Sequence, residues 1–279
     1  MSAVMESITS KVLYNRELAP GLFTIGLEWK GVSVLPGQFV MLRVSDSLDP
    51  LLRRPFGVYK VLSSKSVKST GAFKGSGIEV LYSVVGRGTA LLAARVVGDS
   101  VGILGPIGNG FPLPSKKQKL IMVAGSVGTA PFYLLAKKLG RDSTLIVGAR
   151  GVEARALARD FKALKCRIEI ATEDGSVGTK GLVTDLLKKE LLKEKSESSV
   201  VYACGPTGML RAVTAVAEAA GVEAYVSLER SMACGIGVCL GCAVKGVPHE
   251  PRPGRPPEYA MVCSDGPVFK GSDIEWENL

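Results

Sequence analysis

Four cysteines near the end of the chain carry the sharpest chemical signal. Cys234, Cys239 and Cys242 follow the spacing C-x4-C-x2-C, and Cys263 stands further on. Thiolates so spaced suit the ligation of a plant-type [2Fe–2S] cluster. Gly235 and Gly237 fall where a loop wrapping a cluster must turn sharply and aim backbone N–H groups at sulfur. C-x2-C pairs also build structural zinc sites. The full spacing favours iron–sulfur, and these residues alone leave zinc open. Six cysteines without a signal-like start point to metal or redox use rather than disulfides. Cys166, just before an apolar run, reads as a small buried residue.

Four other short segments could hold a flat or phosphorylated ligand. Arg53-Arg54-Pro55-Phe56-Gly57 offers a guanidinium fork for a pyrophosphate and a ring to cover a planar group. A surface Arg pair beside a core Phe would look the same. Gly86-Arg87-Gly88-Thr89 runs into a helix over Ala90–Ala94, with Thr89 as its cap and an anion site at its N-terminus. The turn from Gly125 through Gly128 and Thr129 to Pro131 joins a strand to a helix where open α/β sheets bind nucleotides, without the full G-x-G-x-x-G spacing. Cys204-Gly205-Pro206-Thr207-Gly208-Met209 also stands at a strand's carboxyl end. Plain connecting turns are the competing reading for the last three. His249, the only histidine, lies in a Pro-rich loop and reads as exposed and non-catalytic.

The elements that must position these residues fall into three stretches. Up to residue 113 the pattern is antiparallel β. Leu22–Trp29 alternates, with Phe23, Ile25, Leu27 and Trp29 on one face, and runs follow at Phe39–Val44, Gly57–Leu62 and Ile78–Val85. About six strands at this spacing predict a small barrel. Lys65 to Gly77 reads as a surface hairpin loop, and Pro112 to Lys119 as a linker. From residue 114 to 222 strands alternate with helices. Leu120–Val123, Thr144–Val147, Ile168–Ala171 and Val200–Ala203 are the strands; Pro131–Leu139, Leu182–Leu192 and Thr207–Ala220 are the helices. That order predicts a parallel sheet covered on both faces. Residues 223–279 break the pattern and hold the four clustered cysteines and a Pro/Arg-rich loop, Val247 to Glu258. The expected fold is thus an antiparallel barrel, a parallel-sheet α/β domain and a small C-terminal cluster domain.

The 279 residues are enough for two domains and a module. A net charge of +9 invites a nucleic-acid reading. However, Lys137–Lys138, Lys188–Lys189 and Lys193–Lys195 sit among acids on helix faces, with no interleaved aromatics for stacking. Leu120–Ala136 is apolar but broken by Gly125, Ser126, Gly128 and Pro131, so no membrane span is expected. Glu6, Lys11, Arg16 and Glu17 interrupt the start as a targeting signal would not allow. A cytoplasmic location is expected.

Taken in order, these residues resemble the ferredoxin–NADP⁺ reductase superfamily across the whole chain. The resemblance lies in Arg54-Pro55-Phe56, Leu81-Tyr82-Ser83-Val84-Val85-Gly86-x-Gly88-Thr89, Gly105-Pro106-Ile107-Gly108-Asn109-Gly110-Phe111, Gly125 to Pro131, Cys204-Gly205-Pro206 and Met232 to Cys242. A C-terminal cluster segment ending in Cys263-x-Asp265-Gly266-Pro267-Val268-Phe269 resembles, within it, the electron-transfer subunits of NAD-dependent dihydroorotate dehydrogenases. The resemblance implies FAD, a [2Fe–2S] cluster, and NAD as electron acceptor. It implies a partner, an FMN-containing catalytic subunit, in a heterotetramer of two of each, serving pyrimidine (UMP) biosynthesis. Electrons would pass from dihydroorotate through that FMN, the cluster and FAD to NAD⁺. Arg54 would hold the FAD pyrophosphate, with Pro55, Phe56, Gly57, Leu81, Tyr82 and Ser83 beside the flavin and Gly86, Gly88 and Thr89 at its phosphates. Gly125, Gly128, Thr129, Cys204, Gly205 and Pro206 would serve the nicotinamide nucleotide. No residue is needed as acid or base. The superfamily usually has Ser or Thr where this chain has Gly57, so the hydrogen bond near flavin N5 must here come from backbone N–H, water or nothing. A subunit of a hydrogenase or of a ferredoxin:NADP⁺ oxidoreductase, or a zinc-stabilised nucleotide-binding regulator, are the rival readings.

Overall fold

A computed structural model describes residues 5–45, 47–63, 65–66, 73–193, 198–247 and 257–279. The Lys65–Gly77 stretch, expected as a surface loop, instead holds strand residues on both sides of 67–72, which lie outside the described residues, as does most of the Val247–Glu258 loop with His249. The first sheet is built from β1 (Glu6–Ala19), β2 (Leu22–Val34), β3 (Phe39–Arg43), β4 (Arg54–Leu62), β5 (Lys65–Ser66), β6 (Phe73–Ser83) and, after α1 (Arg87–Ala93), β7 (Ser100–Ile107). The order β2-β1-β7-β3-β4-β6 closes through an added β2–β6 pairing, with β5 outside it. All pairings are antiparallel. Closure removes the edges that an open sheet would expose. Ile25, Leu27, Val40, Leu42, Ile78, Val80 and Ile103 fill the interior.

The second sheet grows from β8 (Lys119–Gly125). α2 (Tyr133–Leu139), β9 (Ser143–Ala149), α3 (Ala154–Arg159), β10 (Arg167–Thr172), β11 (Thr179–Lys180), α4 (Val183–Leu191), β12 (Ser199–Cys204) and α5 (Thr207–Ala219) follow. The helix predicted over Pro131–Leu139 starts as a 3-10 turn, Ser126–Phe132, and is α-helical only from Tyr133. Pro131 has no N–H to donate to an α-helical ladder. β13 (Ala224–Ser227) continues the parallel sheet beside β12. The break read from Glu223 onward therefore sets in only after this short strand. Leu120 and Met122 face α2 and α3, while Ile121 and Val123 face α4 and α5. Alternate residues thus bury both faces.

β14 (Ala243–Lys245) and β15 (Tyr259–Met261) form a small hairpin-like pair, and β16 (Val268–Lys270) returns to the sheet antiparallel to β13. Val244, Met261, Val262 and Phe269 pack in one core with Met41 and Ile107 of the barrel. Between barrel and α/β sheet, Lys60 of β4 joins Glu79 at 3.0 Å and Asp160, which also accepts from Tyr59 Oη at 3.1 Å. Phe111 stacks on Tyr202, centroids 4.8 Å apart. The sheet order β10-β9-β8-β12-β13 reverses direction at β8/β12. Open α/β sheets bind ligands at that switch point, beyond the strands' carboxyl ends.

Candidate functional site

β4 opens at the barrel rim with Arg54 to Gly57, β6 closes beside it with Leu81 to Ser83, and Gly86, Gly88 and Thr89 stand at the start of α1. These residues, with Pro131, Cys204 and the segment Ser227–Met232 opposite, enclose a cleft of about 890 Å³. A dinucleotide-sized ligand fits such a volume, since ligand pockets generally span ~300–1,000 Å³. Arg54 donates from Nη1 to the Leu52 carbonyl at 2.6 Å. A Cβ on Gly88 would stand 3.0 Å from Arg54 Nε. Glycine there lets the guanidinium and the helix start share one space, an arrangement suited to phosphate oxygens.

Thr89 is not the helix cap. α1 already begins at Arg87, and Thr89 Oγ1 reaches back to accept from Val85 N–H at 2.9 Å and Gly86 N–H at 3.1 Å. At the other end, Asn15 Nδ2 donates to the Leu92, Ala93 and Arg95 carbonyls while its Oδ1 accepts from Tyr82 at 3.1 Å. Helix and strand β6 are pinned together by this one amide. Phe56 meets Tyr82 edge-on at 5.9 Å. Burial pushes the Tyr82 phenol up to about 12. A Cβ on Gly57 would find nothing nearer than Pro131 Cδ at 4.0 Å. On the far wall, burial raises the Cys204 thiol, the nearby Glu229 carboxylate adds to this, and a Ser227 hydrogen bond opposes it. Burial also raises the Glu229 carboxyl.

The Cys234–Cys242 loop takes positive φ at Gly235 (73°), Gly237 (80°) and Leu240 (58°). A Cβ on Gly235 would stand 2.7 Å from Met41 Cγ, so the loop presses on β3. The N–H groups of Ile236 and Cys239 donate to Cys234 Sγ, both at 3.4 Å, and that of Gly237 donates to Cys263 Sγ at 3.1 Å. Cys242 Sγ stands 3.3 Å from Cys263 Sγ, within hydrogen-bond reach. Cys234 is paired in turn with Cys239. Among the described residues, no three His, Cys, Asp or Glu side chains converge as one ion would need. Two adjoining thiol pairs, each with backbone N–H donors aimed at one of its sulfurs, fit a two-iron cluster better.

Burial opposes ionisation of Cys234, but N–H donors from Ile236, Cys239 and Val238 outweigh it and bring the thiol down to about 7. The Cys263 hydrogen bond brings Cys242 down to about 6, and Cys263 itself is raised as it keeps the proton. Thiolates, the metal-binding form, are therefore close at hand. The barrel end fixes the turn that follows Cys263. Asn109 N–H donates to Gly266 O at 2.6 Å, its Nδ2 donates to Asp265 O at 2.8 Å, and Asp265 Oδ2 accepts from Met261 N–H at 2.6 Å. Cys166 stands apart in the core below α3, 3.7 Å from the Phe161 carbonyl.

Of the residues expected at the nicotinamide nucleotide, only Cys204 lines the cleft; Gly125, Gly128, Thr129, Gly205 and Pro206 do not. Thr129 is fully buried. A Cβ on Gly128 would stand 2.2 Å from the Cys204 carbonyl, and one on Gly125 2.8 Å from Pro206 Cδ. The two turns brace one another at the switch point. Sequence reasoning missed the wall Ser227–Met232, which could have been found from its place beyond a strand's carboxyl end, directly before Cys234.

Residues 229–275 match the family model described as the iron–sulfur cluster binding domain of dihydroorotate dehydrogenase B, and residues 122–215 match the oxidoreductase NAD-binding domain. A relative from Desulforamulus reducens, a dihydroorotate dehydrogenase B (NAD(+)) electron transfer subunit, is 34% identical over 99% of this chain and 100% of its own. One of the same description from Bacillus caldolyticus is 39% identical over 86% of each. Among solved structures, an NADH-dependent reduced ferredoxin–NADP oxidoreductase, described for flavin-based electron bifurcation, superposes with a TM-score of 0.76 at 27% identity, over 100% of this chain and 93% of that one. A ferredoxin NADP⁺ reductase from Neisseria gonorrhoeae with bound FAD and NADP shares the fold at a TM-score of 0.61 and 18% identity, over 77% and 92%. On these grounds the chain belongs to the family of electron transfer subunits of NAD⁺-dependent dihydroorotate dehydrogenase B.

Proposed function

We propose that this chain takes electrons from the FMN of a dihydroorotate dehydrogenase catalytic subunit and delivers them to NAD⁺, within pyrimidine (UMP) biosynthesis. The observation that carries this reading is the shared wall: Ser227–Met232 lines the cleft and runs straight into Cys234. FAD would supply the exchange between paired and single electrons, and the cluster a one-electron relay. The chain's own residues bind and orient. Arg54 and the Gly86–Thr89 turn would hold the pyrophosphate, Phe56 and Leu81–Ser83 would flank the flavin, and Cys204 would face the nicotinamide. Gly128 and Thr129 would act from behind, by fixing the Cys204 loop. Cys234, Cys239, Cys242 and Cys263 would hold the cluster. Residues 1–113, 114–222 and 223–279 would form its FAD, NAD and cluster domains, with β13 and β16 stitching the last two together.

Exposed Ile236, Val238 and Leu240 on the thiol loop would meet the partner, in a cytoplasmic assembly of two copies of each subunit. Among the described residues no helix is long and apolar enough to cross a membrane. The test is to mix the two purified subunits and follow NADH formation from dihydroorotate. Activity that needs both supports the reading. Dihydroorotate oxidation by this chain alone, or no NAD⁺ reduction by the mixture, overturns it.

A further inference from the structure

The barrel carries a second polar recess on its solvent face, and none of its residues lines the cleft. There β1, β7 and β3 run side by side, and the register sets Thr9 on one side of Gly102 and Arg43 on the other. A glycine in mid-strand leaves a gap over the sheet. The Arg53 guanidinium occupies that gap: a Cβ on Gly102 would stand 3.2 Å from Arg53 Nη1 and 3.2 Å from Arg43 Cβ. Arg53 Nη1 is buried with no hydrogen-bond partner among the described residues. The recess above it measures about 230 Å³ and is walled by Ser7, Thr9, Ser100 and Arg43, with no carboxylate among its lining residues. Lys11 borders it, donating to Ser100 Oγ at 3.0 Å.

A buried guanidinium donor left unpaired beside a second arginine is costly in two ways, through desolvation and through like-charge repulsion. Burial and then the Arg43 charge both act to lower Arg53. An anion relieves both costs at once. A tetrahedral oxyanion matches the planar fork of arginine and can also accept from several hydroxyls. The volume equals that of nearly eight liquid waters at ~30 Å³ each, ample for such an ion. We propose that this recess binds a phosphate-type oxyanion, free or as the phosphate of a small ester, held by Arg53 with Arg43 and the Ser7, Thr9 and Ser100 hydroxyls. The site stands on the barrel's own geometry and needs nothing from the flavin or cluster assignments.

The test uses the protein loaded with its flavin and cluster, so that the Arg54 region is already filled. Inorganic phosphate and glycerol phosphate are titrated separately by calorimetry, in chloride buffer at constant ionic strength. One saturable site is expected in the wild-type protein, with unchanged flavin absorbance. Arg53→Gln should weaken it about tenfold or more, since charge-assisted bonds carry most of such binding. Arg53→Lys, which keeps the charge and loses the fork, should fall between, and Thr9→Val should weaken binding without touching any charge. Tighter binding of inorganic phosphate identifies the free ion as the ligand, and tighter binding of glycerol phosphate identifies an ester. Absence of saturable heat in the wild-type protein, or wild-type affinity in Arg53→Gln and Thr9→Val, overturns the proposal.

Discussion

Removing the Arg54 side chain would leave Gly88 facing open space, with no cation for a pyrophosphate. Arg54→Ala should weaken FAD retention about ten- to hundredfold, the effect of losing roughly 1.5–3 kcal/mol of charge-assisted hydrogen bonding, read as flavin content after dialysis. Gly57→Ser should behave oppositely. The nearest atom to a new Cβ is 4.0 Å away, so the protein should fold, keep its flavin, and show a shifted flavin potential as the added hydroxyl reaches the cleft. Among the cysteines, serine at position 234, 239, 242 or 263 should abolish the EPR signal of the one-electron-reduced cluster. Cys166→Ala should leave that signal intact, because its thiol sits in the core of the α/β sheet. These cysteines were legible from spacing. Glu229 was missed although it follows a strand's carboxyl end, because only the pairing of β13 beside β12 brings it to the cleft.

Elements hold these residues in place through a few close approaches that no side chain could enter. Gly128→Ala would drive a Cβ to 2.2 Å from the Cys204 carbonyl. Backbone cannot swing aside as a flexible side chain can, so a loss of roughly 1–3 kcal/mol is expected, with weakened nicotinamide affinity as the Cys204 loop shifts; thermal denaturation and NADH titration would read both. The barrel and α/β sheet meet at Lys60, Glu79 and Asp160. Burial raises the Asp160 carboxyl, but Lys60 more than offsets it, so the net shift is downward. A carboxyl depressed in the folded state adds stability above its unfolded value, near ~4. That stability is lost as pH falls through the folded value. Asp160→Asn should therefore cost about 1–3 kcal/mol at neutral pH and flatten the acid limb of a melting curve. Strands such as β2 and β8 were readable because alternation or continuous apolar runs mark them. β1 escaped because half of its residues are exposed and most are polar, so its pairing is dictated by β2 and β7 rather than by its own pattern.

At the scale of the whole molecule, the cleft and the thiol loop are separate constructions joined along one wall. Arg54, Gly88 and the barrel strands build the first; the Cys234–Cys242 loop, seated on Met41, and the Asp265 turn, tied to Asn109, build the second. Such a division predicts that the two halves of the activity can be uncoupled. In Cys242→Ser the barrel and the β8/β12 switch point keep their own contacts, so NADH oxidation with an artificial acceptor should persist near the wild-type rate. Electron delivery from the catalytic subunit should fail, because nothing would then bridge the wall between the partner's flavin and the cleft. The measurement compares both rates in one preparation of matched flavin content, with the partner bound in equal amount. Loss of both rates together would show that the thiol loop is also needed to shape the cleft. Survival of dihydroorotate-dependent NAD⁺ reduction would show that electrons reach the cleft by another route.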